Sequence, residues 1–301
     1  MDSKDYLHQL FGCQGRKAIV TGASSGLGAA MARVLASAGA DLLVVARRQD
    51  RLAALVAELA ACEGSVHAHP ADLADPAALV GIADRARSTL GGCDILVANA
   101  GTADRVRLEE MPEEDFDAVV DLNLKVQWQL AKALFPLLRD STAGRVVNIA
   151  SIYGLGASVI NGLGAYTISK HGLIGLTRSQ AAEWAKHGIT ANAIAPGYFP
   201  TELTESALEN DNMNTRLRAF TPQDRFGRPE ELGPALLFLA SPASSYVNGT
   251  VIPVDGGWTA WCFSARLLLL RPTPVRPDGY AASGCDYRPR CAIGQPVHCC
   301  W

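Results

Sequence analysis

The chain lacks an excess of charge of either sign, a long apolar run and, before residue 262, a usable set of cysteines. With 27 Lys and Arg against 30 Asp and Glu, its formal charge of −3 gives no electrostatic reason to expect nucleic acid or an anionic membrane as a partner. No stretch approaches the ~20 apolar residues that span a bilayer, and the leucine run at 267–270 is far too short. The opening Met1-Asp2-Ser3-Lys4-Asp5 has no apolar core of a signal peptide, so a soluble cytoplasmic protein is expected. Cys13, Cys62 and Cys93 are too scattered for a disulfide framework or a zinc site. The other five cysteines (Cys262, Cys285, Cys291, Cys299 and Cys300) crowd the C-terminal segment, and that asymmetry marks a boundary.

Upstream of the boundary, 49% hydrophobic residues and 28 glycines suit a buried parallel sheet with tight turns. Short apolar strands at 17–21, 42–46, 66–71, 94–98, 145–150, 189–195 and 250–254 alternate with helical spacings. Helices are expected at 27–38, 51–59, from Pro76, over 112–138, from Tyr166 to about Lys186, and near 230–240. Thr204 to Gln223 reads as a polar stretch. Strands alternating with helices imply a parallel sheet wrapped on both faces. The reading is therefore one α/β domain over 1–261, a doubly wound parallel sheet of about seven strands. Residues 262–301 hold five Arg, no Lys and five Pro. They read as an irregular, poorly ordered extension, either out-of-frame translation or a genuine variable C-terminus. Cys291, His298, Cys299 and Cys300 fit no structural zinc spacing, and no metal is expected.

Two features carry chemistry. Thr21-Gly22-Ala23-Ser24-Ser25-Gly26-Leu27-Gly28 follows a strand and opens a helix. Such a turn lets backbone approach a pyrophosphate at a helix N-terminus. Tyr166 and Lys170 stand at i and i+4 on one helix face, just downstream of Ser151. Bringing a free tyrosine from ~10 to about 7 takes ~4 kcal/mol, and a unit charge ~4 Å away at an effective dielectric of ~20 supplies about that much. A phenol beside a fixed cation is thus expected to exchange protons near neutrality.

In these motifs the chain resembles the short-chain dehydrogenase/reductase family, over about residues 12–260. The resemblance is carried by the glycine turn, Asp72-Leu73, Asn99-Ala100-Gly101, Asn123, Ser151, Tyr166 with Lys170, Pro196-Gly197 with Thr201, and Val254-Asp255-Gly256-Gly257. It implies a Rossmann-type fold and assigns roles. Tyr166 would be general acid in reduction and base in oxidation. Lys170 would hold the nicotinamide ribose and lower the Tyr166 pKa. Ser151 would donate to the substrate oxygen, and Asn123 would support a water linking Lys170 to solvent. The cofactor would meet Thr21, Gly22, Ser24, Ser25, Gly26, Leu27 and Gly28 at the first turn. Asp72, Leu73, Asn99, Ala100, Gly101, Tyr166, Lys170, Pro196, Gly197, Phe199 and Thr201 would complete its site. Ser151 lies further ahead of Tyr166 than is usual in the family, which implies an enlarged loop. Ser158, within that loop, is the poorer candidate.

After the second strand comes Ala46-Arg47-Arg48, with no carboxylate to hold ribose hydroxyls and two guanidinium groups to pair with a 2′-phosphate. NADP is therefore expected, with NAD as the alternative. The substrate pocket is expected from 152–164, 198–201 and 204–223. The run from Ala195 to Leu203 resembles gluconate 5-dehydrogenase-type members, which implies a polyol or sugar acid, with Arg105, Arg107 or Lys125 as its carboxylate anchor. The alternatives are a 3-oxoacyl-thioester reductase, a general carbonyl reductase, or a non-catalytic dinucleotide sensor. A homodimer or homotetramer is expected from the apolar helices at 123–138 and 172–184.

Overall fold

The computed structural model describes residues 3–158, 162–202, 204 and 209–260. The expectations for 262–301, its cysteines included, lie outside the described residues, as do the pocket positions at 159–161 and 205–208. Seven strands form one sheet: β1 (Lys17–Thr21), β2 (Asp41–Ala46), β3 (Val66–Pro70), β4 (Ile95–Ala98), β5 (Arg145–Ile149), β6 (Thr190–Pro196) and β7 (Val251–Val254). Their order is β3-β2-β1-β4-β5-β6-β7, and every pairing is parallel. The sheet and its helices belong to one compact unit, Met1–Ala260.

Successive strand side chains point to opposite faces, and each face finds a cover. Ala18, Val20, Leu42, Val44, Ile95 and Val97 join one buried cluster with α2 (Gly26–Ser37), α3 (Gln49–Leu59) and a late helix at Gly233–Ala240. Ile19, Leu43, Val45, Leu96 and Ala98 face the other way, onto α4 (Pro76–Thr89) and the helix at Val126–Asp140. This two-sided burial is why the strands read as continuous apolar runs rather than alternating ones. Pro76 occupies the first turn of α4 and the Asp75 side chain accepts from Ala77 N at 2.9 Å, so the helix start is written locally.

Three features depart from the sequence reading. A helix at the N-terminus, α1 (Ser3–Phe11), was not anticipated. The expected continuous helix over 112–138 is broken into α5 (Glu113–Val120), a π-helical turn (Asp121–Lys125) and α6 (Val126–Asp140). The turn widens to i→i+5 pairing, and Gln127 Nε2 donates to Leu122 O within it and to Ala100 O. After β5 come α7 (Gly164–Trp184) and, within the stretch read as polar, α8 (Asp211–Ala219). Asn210 caps α8 through Met213 N at 3.0 Å, and Leu217 is its buried anchor. The helix at Gly233–Ala240 is α9.

The order reverses beside β1: the chain moves outward to β2 and β3, then returns to place β4 on the other side. A crevice opens at the carboxyl ends of strands at such a reversal, and there ligands bind in open α/β sheets.

Candidate active site

At the crevice the ends of β1 and β4 are locked together. Thr21 Oγ1 accepts from Asn99 N at 3.0 Å and Ala100 N at 3.1 Å, while Asn99 Nδ2 donates to Thr21 O at 2.9 Å. The glycine turn folds tightly on this clamp. Gly22 has φ +67, and a Cβ on Gly28 would lie 2.2 Å from Gly22 O and 2.7 Å from Asn99 Nδ2. No side chain fits there. Ser25 precedes α2 without capping it through its side chain, so first-turn N–H groups stay open to an outside acceptor.

On the far side of β4, a second network holds the reactive groups. Ser151 lies two residues beyond β5 and caps the start of a short 3-10 turn, accepting from Tyr153 N at 3.1 Å. Gly154 lets that turn approach α7, since a Cβ would lie 2.7 Å from Lys170 O. The close packing brings the Ser151 hydroxyl near enough to the Tyr166 phenol to favour its ionised form. Lys170 Nζ donates to Ile149 O at 2.8 Å and sits 5.6 Å from the Tyr166 ring centroid. Asn123, fully buried in the π-helical turn, accepts from Thr102 N at 2.8 Å. Its Nδ2 donates to Thr102 O at 2.8 Å and to Ser169 Oγ at 3.0 Å. A Cβ on Gly101 would lie 2.9 Å from Asn123 Oδ1 and 3.7 Å from Lys170 Nζ, so this glycine keeps the space between amide oxygen and ammonium open.

The electrostatics depart from the expectation of a phenol poised near neutrality. Burial pushes Tyr166 up to about 12; the Ser151 hydrogen bond pulls it down, and Tyr153 adds to the rise. Lys170 is itself brought down to about 8 by burial. The ammonium therefore does not offset the desolvation of the phenol in the protein alone. Its hydrogen bond to Ile149 O directs it to the strand end, leaving Tyr166 a firm proton holder. Asn123 differs too: its amide nitrogen is spent on Thr102 and Ser169, and only one lone pair of Oδ1 remains to serve a water.

At the end of β2, Arg48 binds both serines of the glycine turn. Nη2 lies 3.0 Å from Ser24 Oγ and 2.7 Å from Ser25 Oγ. Arg48 also pairs with Glu202 at 2.9 Å, a residue the sequence reading gave no role although it follows Thr201 directly. Arg47, beside it, is exposed. Thr201 packs on the turn, its Cγ2 lying 3.2 Å from where a Gly26 Cβ would be. Gly197 N donates to Val254 O at 2.9 Å, holding Pro196-Gly197 at the strand end. Asp72 is exposed at the end of β3, its carboxylate turned to Ala74 N at 3.0 Å. Leu73 and Phe199 are packed in the core, so the structure leaves only their backbone for a ligand.

Beside Tyr166 stands an aromatic wall. Tyr153 and Tyr198 share a hydrogen bond between their hydroxyls. Tyr153 meets Tyr166 edge-on at 6.5 Å, and Tyr198 meets Trp258 at 5.2 Å and Phe226 at 6.3 Å. Of the three proposed anchors, Arg107 pairs with Glu109 at 2.9 Å and Lys125 with Asp121 at 3.1 Å, both exposed. Arg105 alone acts on this wall: burial pushes the Tyr198 phenol up, and the Arg105 charge opposes the rise. Phe226 and Trp258 lay outside the expected pocket segments, and only their aromatic character hinted at a role.

The residues at the crevice fit a dinucleotide. The first-turn amides of α2 are left uncapped by a side chain, and Arg48 and Ser25 already converge on an anionic group, the Glu202 carboxylate. A family model described as enoyl-(acyl carrier protein) reductase matches residues 22–259. The chain is 36% identical to 2-dehydro-3-deoxy-D-gluconate 5-dehydrogenase of Bacillus subtilis, over 84% of this chain and 98% of that one. It is 35% identical to the 3-oxoacyl-[acyl-carrier-protein] reductase FabG of Thermotoga maritima, over 81% and 98%. Among solved structures, a Beutenbergia cavernae protein provisionally assigned as an NAD(P)-dependent gluconate 5-dehydrogenase, with NADP bound at low occupancy, superposes with a TM-score of 0.78. Its identity is 39%, covering 83% of this chain and 99% of that chain.

Proposed function

Because the chain belongs to the short-chain dehydrogenase/reductase family, we propose that it is an NADP-dependent oxidoreductase acting on a CH–OH group. The substrate is a sugar acid, and Ser151, Tyr166, Lys170 and Asn123 form the catalytic set. The observation that carries this reading is the Tyr166 phenol with Ser151 acting on it and Lys170 Nζ 5.6 Å from its ring, beside the crevice where strand order reverses.

The cofactor, when bound, supplies hydride to the carbonyl carbon in reduction and takes it back in oxidation. Held protonated by burial, Tyr166 gives its proton to the carbonyl oxygen as charge builds there, and recovers it in the reverse direction. The Ser151 hydroxyl is placed to donate to the same oxygen, a fixed dipole where negative charge develops. Lys170, cationic below about pH 8, stabilises the phenolate left behind. Asn123 ties the 102 loop to Ser169 and so holds the start of α7 in place. Gly22, Gly26 and Gly28 shape the pyrophosphate turn, and Thr201 closes on it. Arg48 with Ser24 and Ser25 would hold a 2′-phosphate, and the NADP-bound neighbour supports that choice.

The sugar-acid assignment draws on the Bacillus subtilis relative, on the paired phenols of Tyr153 and Tyr198, which can meet hydroxyls, and on Arg105, which can meet a carboxylate. We further infer a cytoplasmic homodimer or homotetramer, supported by exposed Trp128 on α6 and Ile168 on α7. No described helix is long and apolar enough to cross a membrane. The test follows loss of reduced-nicotinamide absorbance with keto sugar acids and with 3-oxoacyl thioesters, each with NADPH and NADH. Turnover of a keto sugar acid with NADPH is expected, and Arg105→Ala should raise its KM about tenfold, as loss of a charge-assisted contact does. Faster turnover of the thioesters would replace the substrate assignment with the acyl-carrier reading that the Thermotoga maritima relative and the apolar wall favour. No turnover of either class would remove the enzymatic reading.

A further inference from the structure

Glu202 reaches the glycine turn from a chain position 154 residues beyond Arg48. Its Oε2 lies 2.9 Å from Arg48 Nη2 and accepts from Ser25 Oγ at 3.0 Å. Its Oε1 accepts from Arg48 Nη1 at 3.1 Å and lies 3.6 Å from Arg51 Nη1. Two guanidinium groups and a serine hydroxyl thus converge on one carboxylate, and Ser24 steadies Arg48 from behind at 3.0 Å. The other acidic side chain acting on Arg48 is Asp50, at longer range. Both Arg48 and Glu202 are about half exposed, with side-chain exposures of 42% and 48%, so an incoming anion can reach the cluster.

The donors gathered here are the ones a phosphate monoester needs: paired guanidinium N–H groups and hydroxyls, aimed at a small anion. Glu202 satisfies them with the chain's own anion. Building on the NADP reading, we infer that Glu202 is a specificity-determining residue, an internal competitor that occupies the 2′-phosphate position. A cofactor bearing that phosphate must displace the carboxylate from Arg48 and Arg51. A cofactor without it leaves the ion pairs standing, so Arg48 stays neutralised instead of facing ribose hydroxyls as a bare cation. Glu202 therefore narrows the gap between the two cofactors and leaves the enzyme able to use both. The Thr201 methyl beside Gly26 holds the neighbouring backbone on the turn, which keeps the carboxylate within reach.

The test needs no turnover. Calorimetric titration with adenosine 2′,5′-bisphosphate and with adenosine 5′-monophosphate compares wild type, Glu202→Gln, Arg48→Ala and the double variant. The amide keeps the size of the side chain and removes its charge. Glu202→Gln should tighten the bisphosphate on the order of fivefold, the scale of an exposed ion pair released from competition, and leave the monophosphate unchanged. Most of that gain should vanish in the Arg48→Ala background. If Glu202→Gln leaves the ratio of the two affinities unchanged, or weakens the bisphosphate, the competitor role is overturned while the NADP reading stands. A wild type that binds the bisphosphate no tighter than the monophosphate overturns the NADP reading itself.

Discussion

The two halves of the site are made in different ways. The nucleotide half is dominated by backbone geometry: Thr21, Gly22 and Asn99 sit at the ends of adjacent strands, Gly28 in the first turn of α2 packs against them, and their contacts follow from parallel register and tight turning. The substrate half is side-chain assembly: Tyr153, Tyr198, Phe226 and Trp258 come from four separate segments and meet through ring packing and the hydrogen bond between the two phenols. A site built by backbone tolerates almost no change in residue size. A site built by side chains can be rewritten one contact at a time, and relatives at similar identity duly carry names for different substrates.

The seam between the halves should show the largest effect. Tyr166 touches the substrate wall and, with Lys170, belongs to the cofactor side. Tyr166→Phe should lower turnover by about 10²- to 10⁴-fold, the range of a general acid, with nucleotide binding retained in a calorimetric titration. Retained turnover would remove Tyr166 from the chemistry and dissolve the seam.

Lys170 tests the same seam through stability. Burial holds its pKa at about 8 against an ordinary value of 10.5. Between those values the unfolded chain binds a proton that the folded chain releases, so stability rises as pH climbs from about 8 to 10.5. The full effect is on the order of 3 kcal/mol. Tyr166 runs the other way: raised from 10.0 to about 12, it removes stability as pH climbs above 10. The clean window is therefore pH 8 to 10, where the Tm of wild type should rise relative to that of Lys170→Met. Parallel Tm profiles across that window would show that the amino group is not desolvated as the structure has it.

The nucleotide half should break at its closest contact. Gly28→Ala places a methyl 2.2 Å from Gly22 O, backbone that cannot rotate away. It should lose about 1–3 kcal/mol of stability and most nucleotide affinity. Gly81→Ala on α4, where a Cβ would meet nothing within 4 Å, should instead gain up to ~1 kcal/mol from helix propensity. Equal chemical-denaturation midpoints for the two variants would show that close approach is not what the turn needs glycine for.

The contrast also explains what could be read from the chain. Seven strands, their parallel pairing and the glycine turn were legible because burial on both faces and backbone strain leave marks at fixed spacing, whereas the strand order was not. Ser151, Tyr166 and Lys170 were legible through ordered motifs, and the structure brings them together. The π-helical turn at Asn123 was not, since a single widened turn between two regular helices leaves no residue-type mark of its own. Nor was the Arg48–Glu202 pair, because two charges 154 positions apart leave no local pattern. The direction of the Tyr166 shift is hidden from the sequence for a related reason: spacing places a cation nearby, but the depth of burial that outweighs it comes from the whole fold.

The smallest change belongs to the substrate half. Tyr198→Phe removes one hydroxyl from the pair with Tyr153 and leaves the ring packed on Trp258 and Phe226. The fold should lose only about 1 kcal/mol, the net worth of one hydrogen bond. If the phenol pair meets substrate hydroxyls, kcat/KM for a keto sugar acid should fall several-fold, while that for an apolar 3-oxoacyl thioester stays level or improves. A uniform fall for both substrates would mean that the phenols only brace the wall. In that case the polar reading of this half rests on Arg105 alone, and the difference between the two halves narrows to one of packing.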